Sequence, residues 1–277
     1  GRYYSRTNQG PVDQATRRAA NVPLQELSQQ KILRAVYSER QLEEVLVDFW
    51  FNHFNVFAGK GRFARFYLTE YEREAIRPHV LGRFRDMLGA TARSPAMLWY
   101  LDNWMSAAPA PEGRARRPAR TQRPSRGLNE NYGRELLELH TLGVDGGYTQ
   151  DDVVNVARAF TGWTIEAPRQ GGGDFTFNAR LHDQGEKLVL GHRIPSGGGR
   201  EDGERVLDIV AAHPSTARHI ARKLATRFVA DTPPETLVDR VAKVFLDSGG
   251  DLRAVTRSIV TSREFMSAEA RQAKVKT

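Results

Sequence analysis

The sequence contains no cysteine in 277 residues, which excludes disulfides and thiolate chemistry and leaves every compartment open. No run of about eighteen apolar residues occurs, so nothing reads as a membrane-spanning helix. The opening stretch GRYYSRTNQG lacks the apolar core of a signal peptide. Neither end carries clear punctuation, and the chain reads as a fragment of a longer one. A phosphate loop is missing as well: Gly197-Gly198-Gly199 has no following Lys-Ser/Thr, and Gly59-Lys60-Gly61 is only a turn. There is no Gly-x-Ser-x-Gly elbow either.

What is present is an ordinary globular composition, 40% hydrophobic and 27% charged, in a chain long enough to bury a substantial core. The net charge of +8 and the pI near 9.9 invite a nucleic-acid reading. Locating the charge weakens it. Residues 108–127 hold six arginines against one glutamate, which leaves +3 for all the other residues. Nucleic-acid binding therefore ranks last among the functions considered, since a basic run is usually a solvated segment. With four prolines and no apolar period, 108–127 reads as a mobile Arg/Pro-rich insertion.

The periodicity elsewhere is helical. Residues 23–38 begin with Pro23 at a tolerated first-turn position. Residues 40–57 are apolar over more than half the helical wheel, and Glu44, Asp48, Asn52 and Asn55 form one narrow polar seam. A capping box is expected at Thr69 and Glu72. Helix 80–92 follows, and then a helix capped by Ser94 with Pro95 in its first turn. Helices also fit 129–141, 149–163 (Thr149 with Asp152), 201–212, 215–229, 235–247 and 251–264. The Gly-rich stretch 171–199 encloses Phe175-Thr-Phe177 and Leu188-Val-Leu190, which points to one small β-hairpin excursion. The expected fold is mainly α, a single compact multi-helix domain over 1–277.

Residues 129–141 carry the densest chemistry. On a regular helix Tyr132, Leu136 and Leu139 define a buried face, while Glu130, Asn131, Arg134, Glu135 and Glu138 share the opposite arc. Arg134 lies four residues from both Glu130 and Glu138, so the arc could be an exposed ion-pair face. It could equally face a cleft and bind a cation or a hydroxyl-rich ligand, a reading the neighbouring asparagines favour. His140 falls about 160° from Glu138, too far for one metal to reach both from a regular helix. A divalent metal would need histidines from elsewhere. His53, on an apolar face, and the His182-Asp183 pair with Glu186 nearby are the candidates, each also readable as a core histidine or a hydrated turn.

Seven segments together resemble the bacterial family catalogued as domain of unknown function 1800. They are Asp48–Phe57 (DFWFNHFNVF), Tyr71–His79 (YEREAIRPH), Ser94–Asn103 (SPAMLWYLDN), Leu128–Gly143 (LNENYGRELLELHTLG), Gly147–Val153 (GYTQDDV), Phe160–Trp163 (FTGW) and His182-Asp183. The resemblance runs from about residue 23 to the end. It implies no activity and transfers no catalytic residue. Such proteins are commonly long, carry export signals and are often encoded beside sulfatase-like and alkaline-phosphatase-like proteins, which implies a periplasmic or extracellular setting. The insertion at 108–127 departs from the family pattern, so that segment is expected to be dispensable for the shared role.

Two functional expectations lead. One is an exported enzyme with a carboxylate-rich site on helix 129–141, its reaction either a metal-assisted hydrolysis or an oxidoreduction. The other is a non-enzymatic cell-envelope binding or assembly module whose 108–127 loop contacts anionic polymers.

Overall fold

The computed structural model describes residues 14–60, 63–108, 127–166 and 173–271, with side chains from residue 21 onward. The protein is mainly α. In chain order the first helices are α1 (Gln14–Tyr37), α2 (Gln41–His53), α3 (Ala64–Glu70), α4 (Phe84–Arg93) and α5 (Pro95–Tyr100). Then come α6 (Asn131–Glu135), α7 (Gln150–Ala159), α8 (Glu201–Ala211), α9 (Pro214–Phe228), α10 (Glu235–Asp247) and α11 (Leu252–Val260). Two π-helical segments continue α3 and α6: π1 (Tyr71–Ile76) and π2 (Leu136–Thr141). Among the described residues no helix is long and apolar enough to cross a membrane.

The expected single hairpin is in fact two. Strands β1 (Trp163–Ile165) and β2 (Phe175–Phe177) pair antiparallel, as do β3 (Lys187–Val189) and β4 (His192–Ile194). The first begins earlier than expected because helix α7 stops at Ala159 and Gly162 turns the chain with φ +81°, a conformation that favours glycine. Trp163 then leaves the helical face and is buried in a strand.

Local signals account for most of the boundaries. Ser94 accepts from the Ala96 N–H, Thr149 and Asp152 form a reciprocal capping box, and Asp251 accepts from Arg253 and Ala254. Three expectations fail. Pro23 lies inside α1 rather than at its start. Helix α9 starts at Pro214 rather than 215 and is capped by His213, whose Nδ1 accepts from the Ser215 N–H. Thr69 caps nothing: α3 runs through it, its hydroxyl has no partner, and Glu72 turns inward to Arg77 at 3.0 Å and Arg34 at 3.3 Å. A buried carboxylate needs such cations more than a helix needs a cap.

One continuous apolar cluster runs from Leu27 to Ile259. At its centre Trp50 stacks on Phe54 and meets Phe84, all fully buried. Side chains of this size are each worth about 1.5–3 kcal/mol on burial. This packing fixes the buried end of α2, where the polar residues of interest lie. The 108–127 insertion lies outside the described residues except for its ends. There Ala107 N–H donates to Gly127 O at 3.1 Å, and Ala108 N–H donates to Leu181 O at 2.7 Å.

Candidate functional site

The last turn of α2 is held from two sides. His53 donates its Nε2–H to the His140 carbonyl in π2 at 3.0 Å, and the Tyr71 hydroxyl in π1 donates to the Phe54 carbonyl at 2.8 Å. Both π segments therefore brace the same point. Within π2, Thr141 Oγ1 donates back to Leu136 O at 2.5 Å. A π turn closes i→i+5 bonds and so rotates less per residue than an α turn. That moves Leu139 off the buried face, leaving it 47% exposed, and brings His140 onto it at 5%. A regular-helix wheel assigns Leu139 to the buried face, and the π turn corrects this.

Beside this brace lies a cleft of about 440 Å³. Its walls come from distant parts of the chain. The end of α2 supplies Asn52 from its polar seam and His53 from its buried face, and Asn55 lies just beyond. Helix α6 supplies Asn131 and Glu135, π2 supplies Leu139 and His140, and α9 supplies Lys223. Lys60, Tyr100 and Leu101 complete it, with Lys60 held by Asp102 at 2.7 Å.

The electrostatics follow from burial. Desolvation raises the Glu135 carboxyl above its ordinary range, and the neighbouring Glu138 charge adds to this while Arg134 opposes it. Desolvation also lowers His140, to about 3, with Lys223 contributing. His53 falls well below its ordinary value for the same reasons in the same order. Lys223 is itself lowered by desolvation. With Nε2–H engaged, His53 is the neutral tautomer whose Nδ1 is a buried acceptor without a partner. His219, one turn before Lys223, is likewise lowered by burial, and its Nε2 has no partner. The cleft thus gathers neutral bases and groups pushed toward neutrality, the pattern expected where proton transfer occurs.

The residues expected from sequence separate into three places. Glu135, Asn131 and His53 line the cleft. Glu130 and Arg134 lie outside it, 3.6 Å apart, and share Gln150, which donates to Glu130 at 2.7 Å and accepts from Arg134 at 2.8 Å. Glu138 accepts from the Tyr148 hydroxyl at 3.3 Å. His182 and Asp183 lie in another part of the fold. His182 Nδ1 meets Thr161 O at 2.8 Å and its Nε2 meets Asp202 Oδ2 at 3.2 Å. Lys187, fully buried, donates to Asp202 Oδ2, Asp183 O and Gly185 O at 2.7, 2.7 and 2.8 Å, which uses all three of its protons. Asp183 is taken by Arg158 in a bidentate pair, and Glu186 by Arg193. The sequence neighbours His182, Asp183 and Glu186 therefore face three different partners. Among the described residues no three histidine or acidic side chains converge in a set that could hold a metal ion.

Sequence reasoning missed Lys223, Lys60 and the role of His140. The one signal for Lys223 was its spacing of four from His219, which places both on one face of α9.

Over residues 2–277 the chain matches the family described as Protein of unknown function (DUF1800), and it belongs to that family. No curated protein and no solved structure matches it.

Proposed function

We propose that this DUF1800 chain is an enzyme that performs acid–base chemistry on a small polar molecule in the cleft between α2, α6–π2 and α9. One observation carries the reading. Glu135, His53, His140 and Lys223 come from separate elements to line one cleft, and burial perturbs all four. A structural role gives no reason to leave His53 Nδ1 without a partner or Lys223 without a carboxylate. Glu135, whose carboxyl is raised by desolvation and by the neighbouring Glu138 charge, is assigned as the proton-transfer group. The carboxamides of Asn52, Asn55 and Asn131 supply both donors and acceptors, which suits a ligand bearing hydroxyl or carbonyl groups.

The test is a ligand-observed NMR screen of small carbonyl and polyhydroxyl metabolites against the native protein, Glu135→Gln and Leu139→Trp, which fills the cleft from its exposed edge. Binders should be lost with Leu139→Trp. Conversion of any substrate found should fall at least about a hundredfold in Glu135→Gln. Binding unaffected by Leu139→Trp would overturn the assignment of the site.

A periplasmic or extracellular setting belongs to the proposal and is supported by the family resemblance; fractionation of cells expressing the full gene tests it. The assembly alternative is supported by the +5 balance of residues 108–127. Its test is deletion of that segment, with binding to an acidic polysaccharide as the readout; unchanged binding refutes it.

A further inference from the structure

This chain draws its positive charge almost wholly from arginine, with thirty-four arginines against seven lysines. Where it does use lysine, it pairs it. Four of the five described lysines sit against a carboxylate: Lys31 with Asp48 at 3.3 Å, and Lys60, Lys187 and Lys243 with Asp102, Asp202 and Asp247, each at 2.7 Å. Lys223 is the exception among the described residues. It lines the cleft, no hydrogen bond or ion pair holds it, and its charged-group neighbours are the imidazoles of His53, His140 and His219.

An arginine at this position would stay charged at any working pH, whereas a lysine can give up its proton and become a nucleophile. Two buried imidazoles, His53 and His140, and the half-buried His219 in place of a carboxylate remove the usual stabilisation of the ammonium form. We propose that Lys223 is a nucleophilic amine that forms an imine with a small aldehyde or ketone held in the cleft. This rests on the acid–base reading of the same cleft and names its substrate class.

The step balances without an oxidant or reductant. The neutral Nζ lone pair attacks the carbonyl carbon, and the C=O electron pair moves to oxygen. Nitrogen loses a proton and oxygen gains one, giving a carbinolamine. Protonation of that hydroxyl by the Glu135 carboxyl lets it leave as water while the C=N bond forms. Burial lowers Lys223 and raises Glu135, the direction that each role requires. The neutral amides of Asn52 and Asn131 can orient the substrate without repelling either partner.

The test is reductive alkylation of the native protein at pH 7 with propionaldehyde and sodium cyanoborohydride, stopped at low conversion and read lysine by lysine by peptide mass spectrometry. Lys223 should react at least about tenfold faster than Lys31, Lys60 and Lys243, a lower bound on what a positioned proton donor provides. In Glu135→Gln, with folding checked by circular dichroism, the preference should collapse. Lys223 reacting no faster than the other three overturns the imine. Rapid labelling in both proteins upholds the imine and removes Glu135 from its acid–base role. Slow labelling of Lys223, with cleft ligands still converted in a Glu135-dependent way, removes the imine and leaves the broader proposal standing.

Discussion

His53 Nε2–H and the His140 carbonyl, 87 residues apart in sequence, form a buried 3.0 Å hydrogen bond that ties the end of α2 to the π turn forming the opposite wall of the cleft. The Tyr71 hydroxyl secures the next carbonyl, Phe54, from the other side. The irregular backbone at both π segments is therefore what aims these groups, and removing either bond should loosen the cleft before it unfolds the protein. Tyr71→Phe leaves a buried carbonyl unpaired and should cost about 1–2 kcal/mol in urea unfolding. His53→Ala also removes a ring packed against Phe54 and Trp50 and should cost about 2–4 kcal/mol.

Stability should fall as pH drops below the ordinary imidazole value, and His140 should be a main cause. Unfolded, its ring protonates near 6.5; folded, burial holds it neutral down to about 3. Across that window the unfolded state binds a proton that the folded state refuses, so stability rises with pH. The slope is about 1.4 kcal/mol per pH unit for this one group. His140→Leu should flatten the profile between pH 6 and 4 by that amount relative to wild type. Parallel profiles for the two proteins would contradict the assignment.

Asp202 is fully buried between Lys187 and His182, and this cluster fastens the β3–β4 hairpin to α8. Asp202→Asn leaves the buried Lys187 ammonium with only the more distant Asp183 carboxylate, 3.8 Å away and already paired with Arg158, and should destabilise by at most about 3–5 kcal/mol. Pairing it with Lys187→Met should recover much of the loss, because the poorly compensated charge then disappears. Additive losses would show that packing rather than charge holds the hairpin.

Helix α6 approaches α7 so closely that a Cβ on Gly133 would stand 2.9 Å from Val153 O and 3.0 Å from Ala157 N. Both are helix backbone and cannot step aside cheaply. Gly133→Ala should therefore cost about 1–3 kcal/mol, and by displacing α6 it should also weaken ligand binding at Glu135, two residues on.

The helices were legible wherever a cap and an apolar period agreed, as at Ser94, Thr149 and Asp251. They misled where tertiary demands outweighed local ones: Glu72 serves two arginines instead of a cap, and the chain leaves its helix at Gly162 to bury Trp163 in a strand. Glu135, Asn131 and His53 could be named in advance because their side chains look polar and costly in their sequence context. Glu138, Glu130 and Arg134 look the same in sequence, and only the rotation of α6 and π2 separates them. For Lys223 the sequence offered only its spacing of four from His219, because its distinction is the absence of a carboxylate, which the sequence records nowhere. The π turn that brings His140 into the wall has no local sequence signal that a helical wheel could use.

The most direct measurement on the cleft is an NMR titration of the protein with its seven lysines carbon-labelled, the Lys223 signal being identified by its loss in Lys223→Arg. Lys223 should titrate below the ordinary lysine value and return toward that value in His53→Asn, as a loosened cleft admits water. A Lys223 signal that titrates at or above the ordinary lysine value would mean a solvated or ion-paired ammonium, and would contradict the cleft as a site of proton transfer and amine chemistry.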